Sequence, residues 1–248
     1  GMNERSILIV GATSSIARAI AVEFAQAGAA LHLAARDASE IERIASDLAL
    51  RYQVPVSWSR FEACDYASHA AFLQAAIDRL ERLDGVVVSL GELGEQQEAQ
   101  QDFEKAQRII DSNYTGVVSI LTHAANYLEQ QGRGFIIGIA SVAGDRGRPS
   151  NYVYGSAKGA LSLFLQGLRA RLAKSGVHVL TVKPGFVDTK MTFGKSGMFL
   201  VASPQQVAAA IVQALDKNRN IAYVPWFWFG IMSIIRSIPE SIFKKLKL

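Results

Sequence analysis

Short apolar runs alternate with longer segments that carry one apolar face along almost the whole chain. Ile7 to Val10 is an apolar, mostly β-branched run. A turn of small residues follows, and then Ile16, Ile20 and Phe24 recur at helical spacing up to Gly28. Leu31–Ala35 is a second run, and Ile41, Ile44, Ala45 and Leu48 return to helical spacing through Arg51. The same exchange continues with Val54–Phe61, Ala70–Leu83, Val86–Ser89, a polar stretch, Val117–Leu128 and Phe135–Ala140. Ala157–Leu172, Val177–Val182, Val207–Leu215 and a last strand at Ile221–Val224 complete it. Short apolar strands separated by amphipathic helices describe βαβ units around a parallel sheet buried on both faces. Crossovers of this length are right-handed, so the pattern predicts an α/β, doubly wound sheet of about seven strands with helices on both faces. No repeat and no Pro/Gly/Ser-rich linker divides the chain, which predicts a single domain over 1–224 and a separate tail over 225–248.

Composition narrows the function. Half of the 248 residues are hydrophobic and 19% are charged, which excludes a disordered chain. The net charge is +4, and from Ile221 onward Arg236, Lys244, Lys245 and Lys247 stand against Glu240 alone. The body is therefore nearly neutral, and a nucleic-acid-binding stripe on it is disfavoured. Cys64 is the only cysteine, so there is no internal disulfide, which suits a reducing compartment. The apolar run before Gly11 is too short for an export signal, and the two together predict a cytoplasmic protein. His32, His69, His123 and His178 are scattered without metal-ligand spacing and read as placed by packing or solvent. Glu92, Glu95, Glu98, Asp102 and Glu104 lie among glutamines and read as a solvated loop and helix start.

Three places carry candidate chemistry. Gly11-Ala12-Thr13-Ser14-Ser15-Ile16-Ala17 joins the first strand to the first helix, where small residues and unpaired helix N–H groups admit a phosphate. Arg36 ends the second strand, where an acidic residue would hold the ribose 2′-hydroxyl of NAD. An arginine there suits the 2′-phosphate of NADP, the alternative being an ordinary surface arginine. Tyr154 and Lys158 are four apart and share a helical face. Ser141 precedes Tyr154 by 13 residues, just past a predicted strand at the carboxyl edge of the sheet, and Asn113 lies 28 residues before Ser141.

These residues resemble the short-chain dehydrogenase/reductase family from the first strand to about Val224. Asn113, Ser141, Tyr154 and Lys158 match its catalytic tetrad in type, order and spacing. The resemblance implies a Rossmann-type fold, a homo-oligomer, a carbonyl substrate and NADPH/NADP+ as cofactor. It also implies that Gly11, Thr13, Ser14, Ser15 and Ile16 hold the pyrophosphate side and that Asp65, after the third strand, contacts adenine. Ser89 and Gly91 follow the fourth strand where the family has Asn-Ala-Gly. Pro184, Gly185, Val187 and Thr189, with Tyr154 and Lys158, hold the nicotinamide end. The chain departs from the family at Ser15 and Ala17, which stand for two of its glycines. Ala17 still permits close helix–strand packing, and Ser15 keeps its N–H and adds a hydroxyl.

The chemistry that follows is hydride transfer with a tyrosine proton donor. A free phenol has a pKa near 10, and the Lys158 ammonium, with the charge of an oxidised nicotinamide, is expected to lower that of Tyr154. Ser141 would orient the carbonyl, and Asn113 would hold a water linking Lys158 to solvent. The tail has no charge from Asn220 to Ile235 and includes Trp226 and Trp228. An isoleucine-rich helical stripe and terminal lysines follow. It is too short and broken to span a bilayer and reads as a helix lying in an anionic interface, at the inner face of the cytoplasmic membrane. A tail folded over its own core, or used as a subunit contact, is the alternative. The Gly-Ala-Thr-Ser turn and the Val-Pro-Trp-Phe-Trp run are similar to the family branch containing the decaprenylphosphoryl-keto-pentose 2-reductases, which implies a lipid-linked keto-sugar. Lys190–Leu200 is expected to form an apolar substrate lid. Two functions stay open: a carbonyl reductase, and a non-catalytic nucleotide-binding or membrane-docking protein on the same fold.

Overall fold

The computed structural model of the chain describes residues 5–185 and 202–248. The first half runs β1 (Ser6–Val10), α1 (Ser15–Gln26), β2 (Ala30–Ala35), α2 (Ala38–Tyr52), β3 (Val56–Arg60), α3 (His69–Leu80) and β4 (Gly85–Val88). The second runs α4 (Gln96–Ala99), α5 (Phe103–Ile110), α6 (Gly116–Gln131), β5 (Gly134–Ile139), α7 (Tyr152–Ala173), β6 (Val177–Pro184), α8 (Pro204–Asp216) and β7 (Ile221–Val224). The C-terminal segment adds α9 (Trp228–Ser237) and α10 (Glu240–Phe243).

The strands form one sheet in the order β3-β2-β1-β4-β5-β6-β7, parallel throughout. β1 is central: Val10 is in register with Ala34 on one side and Val88 on the other. Every β1 residue is buried, and the two-residue period of a strand sorts them between two cores. Ile7 and Ile9 join Phe24, Ile41 and Ile211 on the α1–α2–α8 face, whereas Leu8 and Val10 join Ile120, Leu121 and Leu165 on the α3–α6–α7 face. Each such side chain contributes roughly 1.5–3 kcal/mol by leaving water. The strand order reverses beside β1, so the connections leaving the carboxyl ends of β1 and β4 diverge and open a crevice.

One element departs from the sequence pattern. The stretch before Val117 reads as polar, yet α5 and α6 run on from each other through a π-helical turn at Asp111–Thr115. Phe103, Ala106, Ile109 and Ile110 recur at helical spacing, but α5 is eight residues long with charged and polar positions between them. Its apolar face is lost in the polar stretch around it, and Ala106 and Ile109 are its buried positions. They pack with Val153 and Tyr154, and the π turn buries Asn113.

The C-terminal segment also differs from a continuous surface helix. Pro239 has no N–H to donate, and the helix stops ahead of it. Trp228, Met232 and Phe243 are buried, while Trp226, Phe229, Ile234 and Ile242 stay exposed. Trp228 thus turns inward instead of joining Trp226 at the surface. Among the described residues no helix is long and apolar enough to cross a membrane.

Candidate active site

The β1–β4 side of the crevice is built from backbone. Gly11 has φ +83°, and a Cβ on it would lie 2.1 Å from the Ser89 carbonyl oxygen, so the turn passes the end of β4 only without a side chain. Ser14 caps α1, its Oγ accepting from the Ala17 amide at 3.2 Å. The same Oγ lies 3.0 Å from the Ser89 hydroxyl, which ties the turn to β4. Ala17 is fully buried where the family has glycine, so the helix still packs closely. Gly91, at φ +114°, approaches Asn113 so nearly that a Cβ would sit 1.8 Å from Oδ1.

The β5–α7 side presents side chains. Ser141 follows β5 and caps a 3₁₀ turn at Val142–Gly144, its Oγ accepting from the Ala143 amide at 3.0 Å. That turn lies hard against α7: a Cβ on Gly144 would come within 2.5 Å of the Gly159 nitrogen. The close approach sets the Ser141 hydroxyl near the Tyr154 phenol on the same wall. One helical turn on, the buried Lys158 ammonium donates to the carbonyls of Leu90 at 3.2 Å and Ile139 at 3.1 Å. Its Nζ is 5.8 Å from the centre of the Tyr154 ring. Asn113 donates through Nδ2 to the carbonyls of Glu92 and Ile109, both at 2.8 Å. Its buried Oδ1 has no hydrogen-bond partner among the described residues.

Burial dominates the electrostatics. It holds the Lys158 ammonium down to about 8. It pushes the Tyr154 phenol up to about 12, and the nearby Ser141 hydroxyl opposes this only in part. In the chain by itself burial sets the direction of the Tyr154 shift, the Lys158 ammonium being engaged with two carbonyls.

A cleft of about 360 Å³ gathers Thr13, Ser14, Ser15, Ile16, Ser89, Gly91, Asn113, Ser141, Tyr154, Lys158, Pro184 and Gly185, with Gly11 at the base of its first turn. Three anticipated residues are not on that lining: Gly11, behind it in the first turn, and Arg36 and Asp65. Arg36 is exposed at the end of β2, its carbonyl accepting from Arg60 Nε at 3.0 Å, and Asp65 is exposed ahead of the turn at Tyr66–Ser68. Val187, Thr189 and the expected lid at Lys190–Leu200 lie outside the described residues. Arg18 and Glu40, which face each other at 3.9 Å, line the cleft unanticipated. Their signal was positional: Arg18 is four residues after Ser14 on α1, and Glu40 is in the first turn of α2 after Arg36.

Fold, strand order and this constellation are those of a nicotinamide-dependent oxidoreductase, and the chain belongs to the short-chain dehydrogenase family, whose model matches residues 5–197. It is similar to an uncharacterised oxidoreductase of Mycobacterium tuberculosis, 34% identical over 97% of this chain and 96% of that one. A second, from Streptomyces coelicolor, is 35% identical over 98% of this chain and 96% of its own length. Among solved structures, an alcohol dehydrogenase from the archaeon Thermococcus sibiricus, complexed with 5-hydroxy-NADP, superposes with a TM-score of 0.77. It is 25% identical and covers 89% of this chain and 95% of its own.

Proposed function

We propose that this short-chain dehydrogenase reduces a ketone, or oxidises the matching secondary alcohol, with NADPH/NADP+ and with Tyr154 as proton donor. The observation that carries this reading is a single cleft lined by Ser141, Tyr154, Lys158 and Asn113 together. The nicotinamide, when bound, supplies the hydride. The Ser141 and Tyr154 hydroxyls converge where a carbonyl oxygen can take a proton from one and a hydrogen bond from the other. A phenol held up at about 12 keeps at neutral pH the proton it must give. Lys158, held near 8, is mostly ammonium at pH 7 and stabilises the phenolate left behind. Asn113 Oδ1 offers an acceptor for a water that restores the proton.

The residues fit the cofactor. The Gly11 turn leaves backbone bare beside Ser89, and the first N–H groups of α1 open into the cleft at Ser15 and Ile16. For the 2′-phosphate, Arg18 lies on the lining, and Arg36 forms no ion pair among the described residues. The NADP derivative in the Thermococcus enzyme supports the same choice.

A lipid-linked carbonyl compound is the substrate class the surface favours. Trp226 is 81% exposed, Phe229, Ile234 and Ile242 are also exposed, and the exposed Lys244, Lys245 and Lys247 follow along the chain. Each cation near an anionic leaflet contributes about 1 kcal/mol, enough with the apolar side chains for reversible docking. Two measurements test the reading. NADPH oxidation should be seen with a ketone in a panel that includes polyprenyl-phosphate keto-sugars, and no turnover of any would overturn it. Co-sedimentation should favour anionic over neutral vesicles and weaken with salt; indifference to anionic vesicles would remove the lipid surface from the proposal.

A further inference from the structure

The chain between Ser141 and Tyr154 is held in two different ways. As far as Gly144 it is fixed by the close contact with α7. From Asp145 to Asn151 it has neither helix nor strand, and its side chains bond instead to the C-terminal end of the protein. Asp145, only 3% exposed, accepts from Lys183 Nζ at 2.8 Å and from the Tyr223 hydroxyl. Arg146 donates to the carbonyls of Ile235 at 2.8 Å and Ile238 at 2.6 Å, at the end of α9. The Ile235 carbonyl also accepts the Ile238 amide at 3.3 Å, the bond that closes α9, and a cation suits that end of a helix. The same guanidinium pairs with Glu240 at 2.7 Å and lies 3.9 Å from the centre of the Phe243 ring. The Ser150 hydroxyl donates to the Leu248 carbonyl. Beneath these bonds Val142, next to Ser141, packs with Trp228 and Met232. Trp228 also rests on Gly185, where a Cβ would come within 2.0 Å of its Nε1.

We propose that the C-terminal segment is part of the active site as a splint, and that Arg146 is its positioning residue. Arg146 touches no reacting atom. It locks α9 and α10 against the link between Ser141 and Tyr154, so that the serine hydroxyl stays within reach of the phenol and Trp228 stays seated on Gly185. The role in turnover rests on the reading of Ser141 and Tyr154 as the reacting pair; the mechanical role does not.

Backbone amide hydrogen exchange on the full-length protein and its Arg146→Ala variant tests the splint, with NADPH-dependent ketone turnover measured on the same preparations. Amides across 142–151 should exchange roughly tenfold faster or more in Arg146→Ala. The kcat should fall roughly tenfold at an unchanged KM for NADPH, because small displacements of reacting groups are costly. Added to Ser141→Ala, the substitution should cause no further loss, since it acts through that residue. Arg146→Lys, which keeps the charge over Phe243 but not the fork, should fall between. If Arg146→Ala does not fold, Glu240→Ala at its 74% exposed position should shift the same amides by a smaller factor. Faster exchange in α9 with 142–151 unchanged would overturn the proposal, as would an undiminished loss of kcat in the Ser141→Ala background. A wild type that reduces no ketone would overturn the reductase reading instead, and the exchange result would stand on its own.

Discussion

On its β1–β4 side the cleft offers a ligand mostly backbone: a left-handed glycine turn, the open end of α1 and two serine hydroxyls holding the turn to the next strand. On its β5–α7 side it offers a phenol, an ammonium and a hydroxyl, two of them with pKa values moved by burial. The first side needs small residues and a path, so glycine can give way to Ser15 and Ala17. The second needs particular functional groups, and there the family's residue types are intact. Substitutions should therefore matter unequally across the cleft.

The largest effect should be Tyr154→Phe, which leaves the shape of the wall and removes its proton. Turnover should fall by roughly 10²–10⁴-fold while NADPH binding, followed by fluorescence titration, changes little. Near-normal kcat would mean the proton comes from elsewhere. Outside the cleft lining, at the exposed end of β2, Arg36→Ala should cost NADPH roughly ten- to a hundred-fold in kcat/KM relative to NADH, the worth of a charge-assisted contact of about 1.5–3 kcal/mol. Equal use of both cofactors by the wild type would remove Arg36 from the site.

Stability should show the same asymmetry. Folding lowers the Lys158 pKa from 10.5 to about 8, so between those values the unfolded chain binds the extra proton. Stability should accordingly rise as the pH climbs from about 8 to 10, by on the order of 2 kcal/mol, and Lys158→Met should abolish that rise. Above pH 10 the raised Tyr154 value acts in the opposite sense, because the folded state then holds the proton longer. Urea denaturation of both proteins across this range measures it. The smallest effect belongs to the backbone side. Ser14→Ala should cost about 1 kcal/mol of stability through the lost cap and leave kcat within a few-fold. A larger loss of kcat would show that the Ser14–Ser89 contact shapes the cleft more than its backbone does.

Much of this was legible along the chain because it is local. The strands and the one-turn spacing of Tyr154 and Lys158 follow from periods of two and 3.6 residues, and the parallel order follows from crossover length. Asn113, Ser141, Tyr154 and Lys158 could be picked out because their types and spacing match a family pattern. Two features were not legible. α5 is a single eight-residue stretch whose apolar face, Phe103, Ala106 and Ile109, does not stand out from the charged and polar residues around it. Packing against Val153 and Tyr154 is what marks it as an element. The fate of the tail was equally closed, since an isoleucine stripe reads the same whether its partner is lipid or protein.

The sequence by itself determined most of the secondary elements, the doubly wound parallel class and the identity of the groups at the cleft, because each depends on short-range pattern or residue type. Only the tertiary structure decided that burial by residues distant in sequence raises the Tyr154 phenol in the chain by itself. It alone decided that Trp228 faces inward onto Gly185 while Trp226 faces out. It alone placed Arg146 on the end of α9, a contact spanning some ninety residues of chain that no local pattern encodes.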